Sequence, residues 1–128
     1  MIRHHVALIL TGVAVSAAVA AAQGNADVKA LKNPVAANPE SIAAGQQLYL
    51  RHCASCHGRT GQGGPGNDLI PAAPSLLGDK WDHGSTDGEI FTNIKNGVPP
   101  DFNMVPFKDK LKDDEIWSIV TFVRSLKK

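Results

Sequence analysis

Apolar side chains recur at three- and four-residue intervals in three stretches of the chain, and each recurrence predicts an amphipathic helix. In the first, Ile42, Gly45, Leu48, Tyr49 and His52 follow one another at helical spacing. Asn38 suits the N-cap before it, Pro39 the first helical position and Glu40 the positive first turn. In the second, Thr86 and Glu89 have capping-box spacing and Ile90, Phe91 and Ile94 form a short stripe. Gly97 stops that helix, and Pro99 and Pro100 prevent its continuation. The third opens with Asp113 as cap and Asp114 and Glu115 in its first turn. Ile116, Ile119, Val120, Val123 and Leu126 line one side of it, Trp117 and Phe122 widen that side, and Arg124, Lys127 and Lys128 sit at the negative end. So broad an apolar face needs a partner, and the first helix is the natural one. Gly45 would let Tyr49 and Phe122 approach.

Two segments between the helices follow no period. Gly58, Gly61, Gly63, Gly64 and Gly66, with Pro65, Pro71 and Pro74, exclude regular structure and predict a loop shaped by something it wraps. It is not a phosphate cradle, since neither a Lys-Ser/Thr pair nor a strand-to-helix context accompanies it. The run from Asp101 to Phe107 sets Phe102, Met104, Val105 and Phe107 in an irregular segment, as expected of a loop that covers an apolar surface. No internal repeat is visible.

The ends of the chain change the picture. Arg3, His4 and His5 precede an apolar stretch from Val6 to Ala20 with a break at Gly12, and Ala20 and Ala22 offer an A-x-A cleavage site. This predicts a secretory signal over residues 1–22, with permanent anchoring by the short stretch as the alternative. Residues 23–38, rich in Ala and Asn, read as a flexible leader, and residues 39–128 as one domain. Without Arg3 the 13 basic residues lose one and balance the 12 acidic ones. Nothing in that balance favours a nucleic-acid partner. The expected location is periplasmic or otherwise exported, outside the reducing compartment.

Both cysteines of the chain lie in Cys53-Ala54-Ser55-Cys56-His57. C-x-x-C-H is a haem-attachment signature: two thioether links to the haem vinyl groups and the adjacent imidazole on the iron. On a helical turn, side chains three and four apart share a face, so both sulfurs and the ring reach one porphyrin. A thioredoxin-like pair expects a neighbouring βαβ pattern, and no strand run stands near the motif. A structural zinc site expects four ligands, and no second C-x-x-C or His pair supplies them. A plain disulfide or redox thiol pair stays open at this stage.

Taken together, residues 39–126 resemble a class I c-type cytochrome. The resemblance rests on Gly45 and Tyr49 in a Gly-x-x-x-aromatic helix, the C-x-x-C-H run, a glycine loop with Gly64-Pro65, the Asn96-Gly97 helix stop, Met104 and an aromatic-bearing last helix. It implies an all-α fold of three or more helices around one haem c, attached through Cys53 and Cys56. It implies His57 as proximal and Met104 as distal iron ligand, Met104 being the one methionine after Met1. A departure is Val105, which separates Met104 from Pro106 where the family often has Pro directly after the methionine. The resemblance also implies that the Pro65 carbonyl accepts the free ring N–H of His57, unless Pro65 only shapes the turn. Trp81 matches the family's tryptophan near a haem propionate, with ordinary core packing as the equal alternative. A second histidine ligand, His83, is the remaining option for the iron.

The function implied is one-electron transfer between redox proteins, a donor and an acceptor, with no enzymatic chemistry of its own and membrane contact only through partner complexes or an uncleaved signal. A haem subunit of an exported dehydrogenase or oxidase complex differs in association, not in chemistry. A haem sensor or enzyme with an open axial position would require Met104 to leave the iron.

Overall fold

Local signals start and stop the helices where the sequence predicts, with one shift. The computed structural model describes residues 25–64 and 71–126, and all regular structure among them is helical. The expected signal, residues 1–22, lies outside the described residues, as does Pro65. Helix α1 is Pro39–His52, entered through Asn38, whose side chain accepts from the Ser41 backbone N–H at 2.9 Å. The Ser41 hydroxyl in turn accepts from the Asn38 N–H at 3.0 Å. After Cys53 the chain makes one more helical turn, α2, Ala54–His57. Helix α3, Asp87–Asn96, carries the Thr86–Glu89 capping box and ends at Gly97, whose φ of 74° is a left-handed value that glycine adopts without steric penalty. Helix α4, Asp113–Ser125, is capped one residue earlier than expected: Lys112 has the extended N-cap backbone, and its N–H donates to the Glu115 carboxylate at 2.8 Å. Asp113 is the first helical residue instead, its charge still in the positive first turn.

Helices α1 and α4 form the main crossing. Gly45 is at its centre: a Cβ there would meet the Ser118 carbonyl oxygen and lie 3.0 Å from Phe122 Cβ. The missing side chain lets Tyr49 and Phe122 pack with ring centroids 5.0 Å apart and planes tilted 54°. Tyr49, Ile116, Ile119 and Val120 are fully buried, each contributing on the order of 2 kcal/mol of apolar transfer energy. Helix α3 closes the core from the other side, with Phe91 stacked on Trp117 at 4.1 Å. The exposed Lys95–Asp113 pair, 2.9 Å apart, links the end of α3 to the start of α4 and is worth about 0–1 kcal/mol.

The segment before α1 differs from the unstructured leader expected. Residues 25–30 are helical, and Asn33 donates to the Thr121 hydroxyl at 2.9 Å and the Trp117 carbonyl at 3.3 Å, both on α4. Val35 packs against the core, and Gly88 on α3 leaves room for the Val28 carbonyl and the Leu31 side chain. Packing of the domain therefore begins before residue 39. Asn33 ties this segment to α4 by adding its amide to the buried Thr121 hydroxyl–Trp117 carbonyl pair.

Candidate functional site

The C-x-x-C-H residues straddle the junction of α1 and α2. Cys53 ends α1 with its N–H on the Tyr49 carbonyl at 2.8 Å, and the N–H groups of Cys56 and His57 both return to the Cys53 carbonyl, at 3.1 and 2.9 Å. This turn is anchored in the core: the buried Tyr49 hydroxyl donates to the Gly58 carbonyl at 2.7 Å, directly after the motif. Burial pushes the Tyr49 phenol up to about 12, the neighbouring Cys53 adding to it.

Neither cysteine is in a disulfide. Burial also pushes the Cys53 thiol up to about 12, with Cys56 adding to the rise. A redox dithiol works through a thiol pKa lowered by its surroundings, so the environment of Cys53 speaks against the thiol-exchange alternative. It suits a sulfur destined to become a neutral, core-packed thioether.

His57 Nδ1 lies 3.3 Å from the Pro74 carbonyl. A carbonyl only accepts, so Nδ1 carries the proton and Nε2 keeps its lone pair for a metal. Burial lowers the pKa of His57, and the Pro74 bond offsets part of that, which keeps the ring in the neutral, ligating form. Among the described residues the acceptor facing the ring is the Pro74 carbonyl, and Pro65, the acceptor expected, lies outside them. The glycine loop explains this: Gly63 N–H bonds the His57 carbonyl, Gly64 N–H the Ala73 carbonyl at 2.9 Å each, and Leu76 N–H the Gly61 carbonyl at 2.7 Å. These bonds fold the returning strand of the loop, with Pro74 on it, against α2.

Met104 is held by the loop that follows α3. The Val98 N–H donates to the Met104 carbonyl at 2.9 Å, the Phe107 N–H to the Ile94 carbonyl at 3.0 Å and the Lys108 N–H to the Lys95 carbonyl at 3.1 Å, so the loop is laced back onto the end of α3. Met104 packs against the same apolar cluster that contains Cys53 and Tyr49. Its loop neighbours Phe102 and Val105 are each 45% exposed. Such apolar surface is what the face of a porphyrin would cover.

Trp81 packs against that cluster too, and its indole Nε1 is buried with no hydrogen-bond partner. A buried indole N–H normally finds an acceptor. This orphan donor, the neutral His57 with Nε2 available and the two sulfurs on one turn fit a covalently attached haem, and the residues that would hold it are Cys53, Cys56, His57 and Met104, with Trp81 as a donor to its periphery. His83 instead offers its backbone carbonyl to Asn93 Nδ2 at 2.9 Å, and its side chain is exposed.

Two contributors escaped the sequence reading. Pro74 was one of three prolines in a loop without periodicity, and nothing local distinguished it. Arg124 read only as a cation at a helix end. In the structure its Nε donates to Asp87 Oδ1 and its Nη2 to the Ser85 carbonyl, both at 2.6 Å, and its guanidinium carbon lies 5.9 Å from the Trp81 ring centroid.

Comparison with known proteins agrees with this geometry. Residues 40–123 match the family described as cytochrome C oxidase, cbb3-type, subunit III. The chain is 32% identical to the cbb3-type cytochrome c oxidase subunit FixP of Sinorhizobium medicae over 128 residues, covering 90% of this chain and 42% of that protein. It is 34% identical to the quinohemoprotein alcohol dehydrogenase ADH IIB of Pseudomonas putida over 101 residues, covering 78% of this chain and 13% of that one. The structure superposes on cytochrome CL of Methylophaga aminisulfidivorans with a TM-score of 0.58 and 29% identity, over 74% of this chain and 57% of the other. The chain thus spans less than half the length of these two curated relatives. No helix among the described residues is long and apolar enough to cross a membrane.

Proposed function

The chain belongs to the family of cbb3-type cytochrome c oxidase subunit III and is a class I c-type cytochrome domain, and from that premise we propose that it passes single electrons through one haem c, fixed by Cys53 and Cys56 and ligated by His57 and Met104. The observation that carries the reading is the His57–Pro74 bond at 3.3 Å, which assigns the proton to Nδ1 and aims Nε2 from a turn that also bears both sulfurs. When bound, haem c supplies an iron that cycles between two oxidation states.

The protein supplies the rest. The Pro74 carbonyl fixes the imidazole plane and raises its basicity, and the laced 98–106 loop presents a thioether. With His57 and Met104 both holding the iron, no position on it would remain for a substrate, and the domain would serve as a carrier and not a catalyst. Its resemblance to oxidase subunits favours work within an exported redox complex over free diffusion, with a donor and an acceptor protein as partners. Residues 1–22 provide the export signal that places it in the periplasm.

Visible spectra of the oxidised and reduced protein, with and without carbon monoxide, test the assignment. The oxidised form is expected to show a sulfur-to-iron charge-transfer band and the reduced form to resist carbon monoxide. Rapid carbon monoxide binding by the unmodified protein would remove Met104 from the iron and promote the open-site alternative.

A further inference from the structure

We propose that Arg124 is a positioning residue for Trp81: it locks the 81–85 turn so that the buried indole N–H is presented to the haem edge. The inference rests on the haem reading above and goes beyond it in assigning this role to a residue of the last helix.

Three contacts converge. Arg124 Nη2 takes the Ser85 carbonyl and Nε takes Asp87 Oδ1, while the guanidinium lies over the Trp81 ring at cation–π distance. Ser85 is itself the clasp of the Trp81 turn, because its hydroxyl oxygen accepts from the Trp81 backbone N–H at 2.8 Å and Gly84 N–H closes on the Trp81 carbonyl at 3.2 Å. One planar side chain thus holds the clasp and covers a face of the ring. The remaining polar atom of Trp81, Nε1, is left buried without a partner. A turn braced this firmly around an unsatisfied donor is built to deliver that donor to an acceptor, here a haem propionate. Asp87 beside Arg124 balances its charge, so the role is orientation and not field.

Arg124→Lys separates the two, since an ammonium retains the cation but cannot fork between Ser85 and Asp87 as the guanidinium does. In the reduced holoprotein, NMR should follow the indole N–H of Trp81, assigned by its loss in Trp81→Phe. The indole of Trp117, buried and stacked on Phe91, is the internal control. Arg124→Lys and Arg124→Gln should each speed exchange of the Trp81 indole proton about tenfold with Trp117 unchanged. Both should also move the midpoint potential in the direction that Trp81→Phe moves it. Unchanged Trp81 exchange in Arg124→Lys, or equal acceleration at both indoles, would overturn the positioning role. Accelerated exchange at Trp81 with a potential indifferent to Trp81→Phe would overturn delivery to the haem. Absence of covalent haem absorbance in the unmodified protein would instead bring down the underlying reading, and this proposal with it.

Discussion

Gly45→Ala adds a single methyl group at the tightest point of the fold. Its Cβ would overlap the Ser118 carbonyl oxygen, lie 2.8 Å from the Ser118 carbonyl carbon and 3.0 Å from Phe122 Cβ. The chief obstacle is backbone of α4, which cannot rotate aside as a side-chain tip does. Relief requires α1 and α4 to separate, loosening the Tyr49–Phe122 contact and the four fully buried side chains around it. Overpacking of this kind costs roughly 3 kcal/mol at its upper range, against about 1 kcal/mol gained when alanine replaces glycine in a helix. The net loss is about 2 kcal/mol, or roughly 8–16 °C in melting temperature for a domain of this size. Thermal unfolding of the holoprotein by far-UV circular dichroism measures it, and Gly78→Ala is the control, its Cβ meeting nothing nearer than the Lys80 carbonyl oxygen at 4.0 Å. A Gly45→Ala protein as stable as the control would refute the close crossing, and with it the reason for glycine at this position.

What was legible in the sequence was local. Asn38-Pro39, Thr86 with Glu89, and Gly97 act within one helical turn of themselves, so their spacing carries the structure, and C-x-x-C-H carries its chemistry in five consecutive residues. Lys112 displaced Asp113 as N-cap because Glu115 reaches back to the preceding N–H, a choice that a row of acidic residues leaves open to one position. Pro74 was illegible because the bond it makes spans 17 residues and depends on the path of the glycine loop. Pro71 and Pro74 both offer carbonyls, and only the cross-loop hydrogen bonds set Pro74 beside His57. Asn33 was hidden for the same reason, pairing with Thr121 across 88 residues of chain. Arg124 satisfied a helix-end expectation so well that its second role left no trace in composition. Local capping thus fixed the elements, and the long-range polar contacts that aim the site emerged only from tertiary structure.

Met104→Ala should open the iron to carbon monoxide, while Met104→His should keep six-coordination and lower the midpoint potential, since a thioether favours ferrous iron; a carbon monoxide response identical to that of the unmodified protein would count against ligation. Asn33→Ala removes the bonds to Thr121 and Trp117 and should cost about 1 kcal/mol in chemical denaturation, with faster proteolysis of residues 25–36 as the local readout. Glu89 makes stability depend on pH. The Thr86 backbone N–H, with the Thr86 hydroxyl, the Ser85 N–H and Lys29 assisting, holds its carboxyl below the ordinary value of 4.5 despite partial burial. Because the folded value lies below the unfolded one, the stabilisation is fully present above pH 4.5 and is lost as pH falls through the folded value. Glu89→Gln, which cannot titrate, should therefore be less stable than the unmodified protein near neutrality, and the gap should narrow on acidification below that point. A gap of constant size across the acid range would show that the carboxylate of Glu89 is not what holds the start of α3.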